Sequence, residues 1–218
     1  MTEVTNKKLI PILVIIGGSA LLLISFGLRH SFGLYLIPIT DHLNSGRELY
    51  ALASALNVLM IGIGSPLFGA MSAKYGSGKA SFLGVVLVLI GLYWMANTNS
   101  SFDIIASQAV YGLGAAGCGT AVVLGAVGRA VKIENRTLSL GIVMAAGSFG
   151  QFLLVPTTEY LISKYGWSSS LYILLALACI MLFFAYALGF SKNSESSKKG
   201  SNQNITQALN EAFKNKSF

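Results

Sequence analysis

Charge is scarce in this chain: Asp, Glu, Lys and Arg make up 11% of its 218 residues, and only eight of them are acidic. A soluble domain carries about a quarter of its residues as charges, so this composition cannot clothe a folded body of this length for water. Cysteine is nearly absent too. Cys118 and Cys179 both fall within apolar stretches, and with two histidines in the whole chain no Cys/His cluster has metal spacing. A disulfide framework and a zinc site are thereby excluded, and no metal or cofactor is implied. Nucleophilic chemistry is missing as well, since neither Ser19 nor Ser148 sits in a Gly-x-Ser-x-Gly elbow beside a base. The chain is therefore expected not to be an enzyme and to hold no catalytic residue. It also lacks the Thr-Val-Gly-Tyr-Gly loop and the acidic ring of a selectivity filter, which weighs against a channel.

What is abundant is apolar: 54% of residues are hydrophobic, 24 are glycine, and the mean hydropathy is +0.67. A membrane span needs about 20 apolar residues, because each residue rises about 1.5 Å and the hydrocarbon layer is about 30 Å thick. Six stretches meet that length, at about 9–38, 49–71, 80–96, 103–127, 138–162 and 169–190. The first is too long for a secretory signal and has no small-residue cleavage site, so it is expected to stay as a span. The expected fold is an all-α membrane protein of six transmembrane helices over residues 1–190.

The cations give an orientation, because Lys and Arg are retained on the cytoplasmic side. Lys7, Lys8, Lys74, Lys79, Arg129, Lys132, Arg136, Lys192, Lys198, Lys199, Lys214 and Lys216 fall on one side, against Arg47 and Lys164 on the other. Both termini are thus expected in the cytoplasm of a multi-pass protein of the cell inner (plasma) membrane. The net charge of +7 is divided among short loops and a tail, and no nucleic-acid partner is expected from such a scatter. After Phe190 the composition turns to Ser, Lys, Asn and Gln, so 191–218 is expected to be a cytoplasmic linker. Within it Ile205, Leu209, Ala212 and Phe213 recur at helical spacing, which suggests a short amphipathic helix over 206–216.

An internal repeat is visible. Pro66 followed by Lys74-Tyr75-Gly76 returns as Pro156 followed by Lys164-Tyr165-Gly166, at the same spacing and an offset of 90 residues. Lys-Tyr-Gly is also an ordinary way to end a helix. Taken as a repeat, the offset lays spans one to three over spans four to six, and three crossings reverse direction, so the two units are inverted in the bilayer.

Gly27-Leu28-Arg29-His30-Ser31-Phe32-Gly33-Leu34-Tyr35 in the first span, Gly69-Ala70-Met71-Ser72-Ala73-Lys74-Tyr75-Gly76 between spans two and three, and Gly166-Trp167 before span six carry a resemblance. The chain resembles the amino-terminal half of the major facilitator superfamily, in the bacterial branch related to monocarboxylate and oxalate/formate transporters. The resemblance implies one half of a twelve-helix fold that moves a small organic anion by alternating access, as a symporter or antiporter. It implies a second six-helix half as partner, which this sequence does not contain. In the loop motif, whose positions here are Gly69, Lys74, Gly76 and Lys79, the family's usual acid is replaced by Ala73, so the lock that this acid helps to form is in doubt.

Arg29 is the residue expected to carry the chemistry. It lies about twenty residues into the first span, where a charge costs about 2.5 to 3.5 kcal/mol on insertion scales. On a helix it shares a face with Ser25, Phe32 and Gly33, and its planar fork of donors suits a carboxylate. The alternatives are snorkelling to the interface, or pairing with carbonyls at a helix break near Gly33. His30, about 100° round the helix, is either a proton-linked partner or, the favoured alternative, a polar interhelical contact. Tyr111, on one face with Ala115 and Cys118, is the candidate cavity residue of span four. Asn57 and Gln151 are candidates for substrate contact or for plain interhelical hydrogen bonds. Gly112-Leu113-Gly114-Ala115-Ala116-Gly117 matches a dinucleotide fingerprint, but it lies in a span and lacks the strand such a site needs. Its small residues, like Gly62, Gly64, Gly69, Gly141, Gly147 and Gly150, are expected to let helices approach closely. The proton and a counter-substrate both remain open as the driving force, and a six-span scaffold without transport of its own is the alternative function.

Overall fold

The computed structural model of the chain describes residues 2–189, with side chains from Ile10 onward. The expected linker and amphipathic helix of 191–218 lie outside the described residues. Every element among the described residues is helical: α1 (Thr2–Ser31), a 3-10 turn (Phe32–Tyr35), α2 (Leu36–His42), α3 (Arg47–Tyr75), α4 (Ser77–Ala96), α5 (Ser101–Gly117), α6 (Thr120–Ala130), α7 (Ile133–Tyr165) and α8 (Trp167–Leu188). These form six membrane-length apolar spans: Ile10–His42, Arg47–Tyr75, Ser77–Ala96, Ser101–Ala130, Ile133–Tyr165 and Trp167–Leu188. The third is the shortest, at 20 residues. Large apolar side chains point outward from the bundle, with Leu67 62%, Phe152 75% and Phe183 72% exposed. That is the surface a protein solvated by lipid presents, since lipid-facing side chains need no protein cover.

The inverted repeat is built into the backbone. Span two ends where Gly76 adopts φ 97° and its N–H donates to Ser72 O; span five ends where Gly166 adopts φ 82° and its N–H donates to Ile162 O. One turn later the Ala80 N–H donates to Gly76 O and the Ser170 N–H donates to Gly166 O. Each second member stands 90 residues after the first. Positive φ is open to glycine at little steric cost, which is why Lys-Tyr-Gly recurs at these two corners.

Packing obeys the same exchange. Span one packs most extensively on span five, and span two on span four, while spans three and six pack on each other. A Cβ added at Gly112 would stand 2.3 Å from Asn57 O, and at the repeat-related contact a Cβ added at Gly147 would stand 3.5 Å from Leu22 Cβ. Gly64, Gly147 and Gly150 do admit a neighbouring helix, as do Gly112, Gly114 and Gly117 of the fingerprint-like run. Gly62, Gly69 and Gly141 do not: a Cβ there meets nothing within 4 Å. They lie on other faces of the same two helices, and spacing in the sequence does not tell which face meets a partner.

Two spans are broken. Span one tightens into the 3-10 turn at Phe32–Tyr35, and span four is interrupted at Cys118-Gly119 between α5 and α6. Pro38, in the first turn of α2, favours the first break without dictating it. Pro38 has no N–H to give to Leu34 O, and its ring would clash with that carbonyl in a regular helix. Pro66 and Pro156, by contrast, sit inside helices that continue past them.

Candidate functional site

Arg29 occupies the last turn of α1, just before the 3-10 turn. Its side chain is half-buried, and among the described residues it forms no ion pair and no hydrogen bond. It lies within electrostatic reach of the Tyr111 hydroxyl of span four. Tyr111 is buried, and its hydroxyl has no hydrogen-bond partner among the described residues. The Phe32 ring meets the Tyr111 ring edge to face, 4.5 Å between centroids. Phe32 and Tyr111 thus meet between spans one and four, with Arg29 one turn before Phe32 on the same span, so a permanent cation, an uncommitted hydroxyl and an apolar ring belong to one region of the bundle. Such a set can hold one carboxylate, the guanidinium and hydroxyl donating to it and the ring shielding it from water.

Two of the other candidates, Asn57 and His30, have hydrogen-bond partners of their own. Asn57 is buried, and its amide nitrogen donates to Gln108 Oε1 at 2.8 Å and to Gln108 O at 3.1 Å, tying span two to span four. This is the interhelical alternative of the two expected. His30 is exposed, and Phe26 O accepts from its Nδ1 at 2.9 Å, which leaves Nε2 without the hydrogen in the neutral ring. That contact lies within its own helix and not between helices, because Phe26 sits one turn below. Gln151 follows Gly150, which packs on Leu23 of span one. It is half-buried and makes no hydrogen bond to a described residue.

The turn above Arg29 is held by hydroxyls from three helices. Tyr50 of span two donates to Phe32 O at 2.5 Å. Tyr35 and Ser170 of span six share a hydrogen bond of 2.8 Å. Thr158 of span five donates to Ser31 Oγ at 3.1 Å, and Ser31 in turn donates to Gly27 O. None of these partners is legible from spacing, since each belongs to a different span.

At the opposite end, Lys74 and Lys79 of the loop motif are exposed, with the Lys74 ammonium 5.1 Å from the Tyr75 ring centroid. Gly69 has open space beside it and Gly76 makes the corner. Arg129, expected to be a loop cation, sits instead in the last turn of α6 and donates to Ser77 Oγ at 2.6 Å and Ser72 Oγ at 3.1 Å. Ser72 and Ser77 are 3.0 Å apart. The corner that has Ala73 in place of an acid is therefore bound to span four by a guanidinium on two hydroxyls.

Two inverted three-helix units with a charged group inside the bundle are the building plan of secondary transporters. The sequence matches the Major Facilitator Superfamily over residues 15–218, and the chain belongs to that family. Among curated proteins it is similar to Monocarboxylate transporter 11 of Mus musculus, 30% identical over 156 residues, which cover 69% of this chain and 34% of the relative. The same transporter of Homo sapiens is 28% identical over 156 residues, covering 69% and 32%. Monocarboxylate transporter 13 of Bos taurus is 22% identical over 157 residues, covering 70% and 36%. The matched region spans about a third of the length of these relatives.

Proposed function

We propose that this chain is the amino-terminal half of a secondary active transporter that moves a small organic anion, a monocarboxylate, by alternating access. The observation that carries the reading is Arg29: an intramembrane guanidinium with no ion pair among the described residues, one turn before Phe32, whose ring meets that of Tyr111 with its unpartnered hydroxyl. Intramembrane charges of this kind are functional by default, and the named relatives are monocarboxylate transporters. Arginine keeps its charge at every physiological pH. Arg29 by itself is therefore an uncompensated cation, and a bound carboxylate neutralises it, which lowers the cost of carrying the site through the low-dielectric middle of the protein. Phe32 supports the substrate's apolar part, Gln151 of span five stands at the flank, and Asn57 braces span two against span four.

In this reading both termini are cytoplasmic, the protein lies in the cell inner (plasma) membrane, and 191–218 links to a second six-helix bundle that closes the cavity. A proton or a counter-substrate supplies the driving force, with His30 Nε2 as the candidate proton site. The test is counterflow of labelled acetate and lactate in proteoliposomes holding the chain together with the polypeptide that supplies the second bundle. Uptake falls at least about tenfold in Arg29→Ala, the loss of one charge-assisted pair. Unchanged uptake in that variant overturns the proposal.

A further inference from the structure

The 3-10 turn above Arg29 diverts one backbone bond. The Leu36 N–H donates to Gly33 O, where a regular helix would send it to Phe32 O. In the 3-10 pattern Phe32 O takes the Tyr35 N–H instead; it is buried between helices, and the hydroxyl of Tyr50, itself buried, donates to it as well. We propose that Tyr50 is a positioning residue for the carboxylate clamp: by holding Phe32 O, it keeps the turn in its 3-10 form and thereby sets Phe32 against Tyr111 beside Arg29. The inference rests on the functional reading above.

The geometry explains why a tyrosine on another span is needed. A 3-10 turn advances about 120° and 2.0 Å per residue, against about 100° and 1.5 Å in an α-helix. Over the four residues Phe32–Tyr35 the difference accumulates to roughly 80° of rotation and 2 Å of length. In the tighter winding Phe32 meets the Tyr111 ring while Tyr35, three residues on, reaches Ser170. Without Tyr50 the Phe32 carbonyl keeps a backbone donor in either winding, the Tyr35 N–H in the 3-10 turn and the Leu36 N–H in an α-helix. Loss of the hydroxyl therefore favours rewinding over unfolding. A residue with a merely structural role would instead lower stability and leave the site's geometry alone.

The test uses the 218-residue chain in lipid nanodiscs, labelled with 15N-arginine, which places label on four side chains only. Acetate is the probe, and the Arg29 guanidinium signal, assigned by its absence in Arg29→Gln, is followed through a titration. In Tyr50→Phe the acetate midpoint is expected to rise about tenfold with helical content unchanged, while hydrogen exchange at the Leu36 amide changes as its acceptor switches. Tyr35→Phe, which removes a neighbouring hydroxyl but not the bond to Phe32 O, is expected to leave the Leu36 amide as it is. If acetate moves the Arg29 signal equally in wild type and Tyr50→Phe, the assignment of Tyr50 falls and the functional reading stands. If acetate does not move it even in wild type, the functional reading falls and takes the role of Tyr50 with it.

Discussion

Spans one and five meet so closely at Gly150 that replacing this glycine by alanine should part them. A Cβ there would lie 1.9 Å from Leu23 O, 2.6 Å from its carbonyl carbon and 2.7 Å from its Cα. Ordinary contacts begin near 3.4 Å, so the backbones must separate by about 1 to 1.5 Å, and backbone atoms cannot swing aside as a side chain can. In lipid no hydrophobic drive pushes the helices back together, and close van der Waals packing is what holds them. Overpacking costs about 1 to 3 kcal/mol; with backbone as the obstacle, we expect about 3. Gly141, on the same helix, is the matched control, since a Cβ there meets nothing within 4 Å. Gly→Ala adds helix propensity of about 0.5 to 1 kcal/mol at either position, so the difference between the two variants isolates the clash. Reversible unfolding in mixed micelles titrated with SDS, followed by far-UV circular dichroism, measures it. Gly150→Ala should be less stable than Gly141→Ala by about 2 to 3 kcal/mol. A difference under about 0.5 kcal/mol, the usual scale of neutral surface changes, would refute the close approach of spans one and five.

Three further outcomes follow from the same packing. Gly76→Ala and Gly166→Ala should cost similar amounts, about 1 to 2 kcal/mol each, because both corners require positive φ; a loss at only one corner would contradict the repeat. Asn57→Ala should destabilise by about 1 kcal/mol, the scale of one membrane-buried hydrogen bond, and leave the acetate midpoint at Arg29 within twofold, since Asn57 is committed to Gln108; a large shift in that midpoint would place Asn57 in the site after all. Arg129→Gln removes the guanidinium from Ser72 and Ser77, so hydrogen exchange at the amides of Gly76, Ser77 and Gly78 should accelerate, and unchanged exchange would show that the clamp does not hold this corner.

Much of the architecture was open to reading because it depends on quantities a sequence carries. Six apolar runs of sufficient length give six spans, and Gly76 and Gly166 repeat because a positive φ demands the same residue twice. The helix ends were less legible: α7 begins at Ile133, five residues before the apolar run starts at Leu138, since a helix does not stop where the hydrocarbon does. The break at Cys118-Gly119 was hidden because Gly112 to Gly119 is as small and apolar as an unbroken span could be. Arg29, Phe32 and Tyr111 could be named from charge, helical face and resemblance, and the structure sets the Phe32 and Tyr111 rings in contact. What spacing could not disclose was every contact between spans: Asn57 with Gln108, Tyr50 with Phe32 O, Arg129 with two serines. Arg129 did leave a signal, as a cation directly abutting an apolar span, but it was counted with the loop charges. For His30 the sequence leaves a proton-linked role and an interhelical contact open; the hydrogen bond it makes runs one turn back, to Phe26 O of its own helix.

The central claim is that position 29 faces a polar interior and not the acyl chains. Arg29→Cys in a chain carrying Cys118→Ser and Cys179→Ser, set in liposomes, can be exposed to a membrane-impermeant methanethiosulfonate and separately to a lipid-soluble maleimide. Phe183→Cys, at an outward-facing position of span six, supplies the lipid-facing standard. The account predicts that the impermeant reagent modifies position 29 and spares position 183. Modification of position 29 by the lipid-soluble reagent alone, matching position 183, would contradict it.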